Sequence, residues 1–223
     1  MNILAIESAT DVASVALACN GHTHQKTVLG GLARAEGVLA LIRPLLAETE
    51  VSLGALDVIA FGQGPGSFTG LRVAASIAQG LAFALDRPVA AVSSLQALAH
   101  AAGGGRVLAA LDARQEELYY GYFTQDRAGI PQLQGKEGLC GPHRMPPPPA
   151  PHHVAVGSGA DRYGDILIVR FGITVRGGLA PTAAAVAALA ARLAAHGQLI
   201  APQEAQPVYL RDEVAKRPAK SLE

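Results

Sequence analysis

Apolar residues along this chain come in short runs closed by polar or glycine-rich turns, and between the runs they recur at helical spacing. Asn2-Ile3-Leu4-Ala5-Ile6 reads as a buried strand, followed by the polar turn Glu7-Ser8-Ala9-Thr10-Asp11. Val12 to Ala18 reads as a second strand. Asn20-Gly21, the strongest hairpin signal in the chain, predicts a third strand near His22 to Leu29. From about Ala35 to Glu48, Val38, Leu41, Ile42, Leu45 and Leu46 mark one apolar helical face, with Pro44 expected to kink it. Asp57 to Phe61 and Pro88 to Val92 are further strands. Ser93 or Ser94 caps a short helix carrying Leu95, Leu98 and Ala99. Strands alternating with helices predict an α/β fold with crossover helices.

The stretch from Gly62 to Arg72 and the helix after it stand out. Val58 to Phe61 stops at Gly62, Gly64-Pro65-Gly66 suits a tight turn with positive φ at Gly66, and Ser67 and Thr69 are both candidate caps. Leu71 to Leu85 carries two stripes at helical spacing. Bulky Val73, Ile77, Leu81 and Leu85 are expected in the core. Small Gly70, Ala74, Ala78 and Ala82 are expected to let a partner helix approach closely. The loop reads either as a phosphate cradle at a helix N-terminus or as a rigid turn that positions the helix. It matches neither the P-loop nor the dinucleotide pattern.

Gly103-Gly104-Gly105 reads as a linker, which divides the chain into lobes at 1–102 and 103–223, with the C-terminal helix and tail able to return to the first. Beyond it, Arg106 to Leu111, the turn Asp112-Ala113-Arg114 and the alternating Gln115 to Thr124 echo the chain's opening. Strand, acidic turn and hairpin open an RNase-H-like or actin-like lobe. A cleft between two such lobes would bring Glu7, Asp11, Asp112 and Arg114 together. Gly141 to His153, with six prolines, predicts an exposed extended connection. Val154 to Ala160 reads as a short strand plus turn. Thr182 caps an alanine-rich helix that reaches His196 and closes at Gly197, and Pro207 to Asp212 reads as a docked tail.

Composition narrows the function. Half the residues are hydrophobic but only 4% are aromatic, so the core is built from Ala, Val, Leu and Ile. A formal net charge of +0, with scattered Lys and Arg, argues against a primary nucleic-acid binder. Cys19 and Cys140 have no C-x-x-C partner and read as reduced thiols of a cytoplasmic protein. No signal peptide is read at the N-terminus, and no apolar run approaches the ~20 residues of a membrane span. Ser221-Leu222-Glu223 reads as an appended scar and carries no weight. Seven histidines include His22-x-His24 and His152-His153 but no H-E-x-x-H pair, so no metal site is assigned. Ser67 has no Gly-x-Ser-x-Gly elbow, and no catalytic residue is assigned.

The loop Gly62-Gln63-Gly64-Pro65-Gly66-Ser67-Phe68-Thr69-Gly70-Leu71-Arg72 resembles the TsaB (YeaZ) family. So do Ala78-Gln79-Gly80-Leu81-Ala82, Val92-Ser93-Ser94-Leu95, Ala110-Leu111-Asp112-Ala113-Arg114 with Glu117, and Pro207-Val208-Tyr209-Leu210-Arg211-Asp212. The likeness runs almost end to end. It implies an actin-like ATPase (ASKHA) fold of two RNase-H-like lobes, the second smaller or degenerate. The implied role is in making threonylcarbamoyladenosine next to the tRNA anticodon. In that family the chain is a non-catalytic subunit that dimerises with and activates a TsaD-like catalytic subunit. A TsaE-like ATPase binds the pair, and a TsaC-like enzyme acts upstream.

On this reading the chain forms a homodimer when alone, meets tRNA only through the complex, holds no cofactor of its own and is cytoplasmic without a membrane partner. The inter-lobe face and the complex interface are where a nucleotide would go. Four features depart from the family pattern: Glu7 replaces Asp, Arg34-Ala35 replaces a His-Ser or His-Thr pair, Pro44 stands one turn after the usual proline position, Ala40, and the proline-rich segment from Gly141 matches poorly. The rivals are a stand-alone actin-like ATPase or kinase, and a metallopeptidase.

Overall fold

A computed structural model of the chain describes residues 1–30, 35–151 and 153–211. Arg34, His152, Asp212 and Ser221–Glu223 lie outside the described residues. The first lobe is built on β1 (Ile3–Glu7), β2 (Val12–Cys19), β3 (His22–Leu29), β4 (Val58–Gly64) and β5 (Val89–Ser93), paired in the order β3-β2-β1-β4-β5. β1, β2 and β3 are antiparallel neighbours, and β1, β4 and β5 run parallel. α1 (Ala35–Glu48) follows β3, α2 (Phe68–Leu85) follows β4 and α3 (Ser94–Ala101) follows β5.

The second lobe repeats that plan. β6 (Arg106–Arg114), β7 (Glu117–Gln125), β8 (Pro131–Leu133), β10 (His153–Val156) and β11 (Thr174–Arg176) lie in the order β8-β7-β6-β10-β11, with β9 (Gly138–Cys140) on β7. β7 is antiparallel to β6 and β8, and β10 is parallel to β6 and β11. α4 (Ser158–Phe171) therefore corresponds to α2, and α5 (Ala183–Ala195) to α3. No counterpart of α1 is found among the described residues. The proline-rich segment takes that place, and three strands of this sheet are only three residues long.

Side-chain alternation sorts the core into layers. Leu4, Ile6, Val15 and Leu17 point to α1 and α2, while Ile3, Ala5 and Ala16 point to α5. Leu95 and Leu98 of α3 pack on the second sheet with Val107, Leu111 and Phe123. Leu108, Ala110 and Tyr122 face α4 and Met145 on its far side. The order is α1 and α2, first sheet, α3 and α5, second sheet, α4. The lobes thus share a middle layer, in which α3 touches strands of both sheets.

Three sequence expectations are corrected. Ala74, Ala78 and Ala82 are fully buried in the chain's own core, and Gly70 lies under the Ser8 carbonyl, which a Cβ would strike. The small stripe is where α2 approaches the sheet; it is not a partner surface. Small side chains permit close approach as argued, but the neighbour is β4 and β1. The bulky stripe splays sideways, with Val73, Leu81 and Leu85 only partly buried. α2 is an 18-residue helix that is long and apolar enough, by length and composition, to cross a bilayer; here it lies along the sheet. The segment from Gly141 is exposed at Pro146, Pro147, Pro149 and Pro151 as expected but anchored at its start, since Pro142 and Met145 are buried, Tyr122 Oη donates to the Pro146 carbonyl at 2.7 Å and Arg170 binds the Pro142 and Met145 carbonyls. Finally, α4 is a 14-residue helix where only a turn was expected.

Candidate functional site

The glycine-rich loop is fixed by what it lies on. β4 runs on to Gly64, whose φ is +108 and which precedes a cis peptide to Pro65, so the positive φ falls at Gly64 and not at Gly66. Ser67 N–H donates to the Ala9 carbonyl at 2.7 Å, and Ser8 Oγ–H donates to the Gly70 carbonyl at 2.7 Å. These bonds fasten the loop to the β1–β2 turn. Ser67, not Thr69, caps α2, which begins at Phe68. The arrangement matches the rigid-turn reading.

Glu7 does not join the cleft, which corrects the expectation for it. Its side chain is 0% exposed, with Oε1 accepting from Ala9 N–H at 2.7 Å and Oε2 accepting from Ser94 Oγ–H at 2.9 Å. Gly62 packs against this carboxyl, which fills the place of its missing Cβ. Burial pushes the Glu7 carboxyl from an ordinary 4.5 up to about 7, against the opposing pull of those hydrogen bonds.

The other three expected residues do meet. Arg114 reaches Asp11 at 3.6 Å across the cleft and Asp112 at 3.9 Å within its own turn. Asp112 also pairs with Arg162 of α4 at 3.2 Å, and its N–H donates to Ser158 Oγ at 3.1 Å. Pro65, Gly66, Ser67, Phe68 and Thr69 line the same cleft, of about 640 Å³. Leu71 of the motif helix also lines it, while Arg72 is stacked over the Phe68 ring at 3.9 Å. Arg162 and Ser158 escaped the sequence reading because α4 did; Gly157-Ser158-Gly159 looks like a loop although it opens a helix. Among the described residues no three His, Cys, Asp or Glu side chains gather as metal ligands. The exposed Asp11–Arg114 pair is worth at most about 1 kcal/mol, so this polar face is a weak lock between the lobes.

A second feature lies on the outer helical layer. Leu39 is 48% exposed and Phe83 78%, and an apolar groove of about 330 Å³ is lined by Leu39, Ile42, Arg43, Leu46, Leu53 and Leu81. Phe83 sits on neither stripe of α2, a signal that was available in the sequence.

Residues 32–137 match the family model described as TsaD: tRNA N6-adenosine threonylcarbamoyltransferase. The tRNA threonylcarbamoyladenosine biosynthesis protein TsaB of Escherichia coli K12 is 36% identical over 231 residues, covering 99% of this chain and 100% of that one. TsaB of Haemophilus influenzae is 40% identical over 131 residues, covering 57% of this chain and 56% of its own. The solved structure of YeaZ from Pseudomonas aeruginosa superposes with a TM-score of 0.87 at 38% identity, covering 94% of this chain and 99% of that one. The two repeated α/β lobes are those of the actin-like ATPase (ASKHA) fold. With full-length similarity to one relative and a superposable fold in another, the chain belongs to the TsaB (YeaZ) family.

Proposed function

We propose that this chain is the non-catalytic subunit that pairs with and activates a TsaD-like transferase in the synthesis of threonylcarbamoyladenosine in tRNA. The observation that carries this reading is the uncovered apolar face of α1 and α2. Water-exposed groups such as Leu39, Leu53 and Phe83 on one layer mark a surface that another protein covers. The occupant is a TsaD-like subunit, because the TsaD family model spans this helix pair and the partner would carry the same layer. Like faces on related folds pack about a pseudo-two-fold axis, which also makes a homodimer the default for the isolated chain. The buried Glu7 and the ion-paired cleft support a subunit without chemistry of its own.

Activation follows from binding alone. A partner held in its competent conformation by this contact is shifted toward it by the difference in affinity for the two states. Moving it from nearly all inactive to nearly all active takes about 5.5 kcal/mol of differential affinity. We assign no cofactor to the isolated chain and leave the cleft as the place where the complex would hold a nucleotide. A TsaE-like ATPase and a TsaC-like source of activated threonylcarbamoyl complete the system in the cytoplasm, with tRNA reached through the complex. The test reconstitutes modification from purified components, omitting one at a time. Full activity without this chain would overturn the proposal. Leu39→Arg is expected to leave the fold within about 0.5 kcal/mol of wild type. It should cut partner affinity at least tenfold, about 1.4 kcal/mol.

A further inference from the structure

After α5 the chain crosses the lobe boundary. Val208 N–H donates to the Gln63 carbonyl at 2.7 Å, which joins the tail to the end of β4. The Tyr209 ring lies 5.4 Å from the Phe68 ring, and its hydroxyl accepts from Arg72 Nε–H at 3.1 Å. Two residues later the partners belong to the other lobe. Arg211 donates to Gln115 Oε1 at 2.7 Å, to the Ala113 carbonyl at 3.1 Å and to Glu117 Oε2 at 2.8 Å. The turn it grips is unusual: Arg114, Gln115 and Glu116 have φ of 61, 51 and 59, three successive side-chain-bearing residues in the left-handed region. Such residues are strained and persist where their surroundings hold them. Arg211 supplies part of that hold, with only 16% of its side chain exposed.

We propose that Pro207–Arg211 is a strap across the mouth of the cleft, fixing the separation of the two lobes, and that its release opens them. Away from the mouth, the lobes share the α3 and α5 layer, which stays assembled when the strap lets go. At the mouth, the other direct interlobe ion pair among the described residues is Asp11–Arg114, whose side chains are both largely exposed and hold little. Opening therefore amounts to a hinge about α3, with Arg211 as its catch.

The test places spin labels at Ala47→Cys in α1 and Val169→Cys in α4, both exposed, with Cys140→Ser to remove the half-buried thiol. The interlobe distance distribution is measured by double electron–electron resonance. The strap predicts one narrow distribution for the otherwise wild-type chain and a broader one, shifted in position, for Arg211→Ala, at an unchanged circular dichroism spectrum. An unchanged distribution in Arg211→Ala would overturn the proposal. So would global unfolding of that variant together with an unchanged distribution in Glu117→Gln, which keeps the volume and removes the charge.

Discussion

Glu7 shows what one methylene group can redirect. The strand and its acidic turn were legible, but not that a longer carboxyl at the strand end would turn inward to Ser94 and sit over Gly62. That choice depends on contacts 87 residues apart in sequence, beyond any local pattern. It has a measurable sign. The folded pKa of about 7 lies above the ordinary 4.5, so the folded state holds the proton more tightly than the unfolded chain. Stability from this group is complete below pH 4.5 and is lost as pH rises through 7. The size is about 3 kcal/mol. Glu7→Gln should therefore be nearly as stable as wild type at pH 5 and more stable at pH 8, read as the difference between their urea midpoints. A pH-independent difference would show that Glu7 stays ionised when folded.

At the scale of elements, periodicity located α1, α2, α3 and α5 and could not say which stripe of α2 faces inward. Both stripes repeat every four residues; the distinction lies in the strand residues beneath, Leu4, Ile6, Ile59 and Phe61, which are bulky enough that a helix lies close to them only if its facing residues are small. Ala78→Arg places a cation in a fully buried position and should cost several kcal/mol, with loss of the cooperative melt. Native-like melting of that variant would return the small stripe to the surface. Residues of α4 escaped detection because Gly159, Asp161, Tyr163, Gly164 and Asp165 break the apolar spacing, and Tyr163 itself leaves helical φ and ψ. The proline-rich segment is exposed at most of its prolines, as its composition implies, but its anchoring at Pro142 and Met145 was not legible. Prolines say nothing about whether a neighbouring arginine will bind their carbonyls, as Arg170 does.

Taken whole, the molecule is two copies of one topology joined through α3. The repeat was legible as strand, acidic turn and strand in each half, whereas the layer order was not, because nothing local says that α3 and α5 lie between the sheets. Because α3 packs on both sheets, the lobes should unfold in one transition rather than two. Leu98→Ala, at a fully buried site of that layer, should lower stability by about 2–5 kcal/mol and keep a single calorimetric peak. A split peak would mean that the lobes are energetically separate.

The return of α5 to the first sheet also has a consequence for synthesis. The last strand of that sheet ends at Ser93, but the helix that covers its alanine-rich inner face begins only at Ala183. At about 5–20 residues per second, a translating ribosome leaves that face bare for roughly 5–20 s. Throughout that interval the nascent first lobe offers water an apolar sheet face that α3 covers only in part. A chain stalled near Pro151 should therefore be held by chaperones, and one stalled after α5 has cleared the exit tunnel should be released.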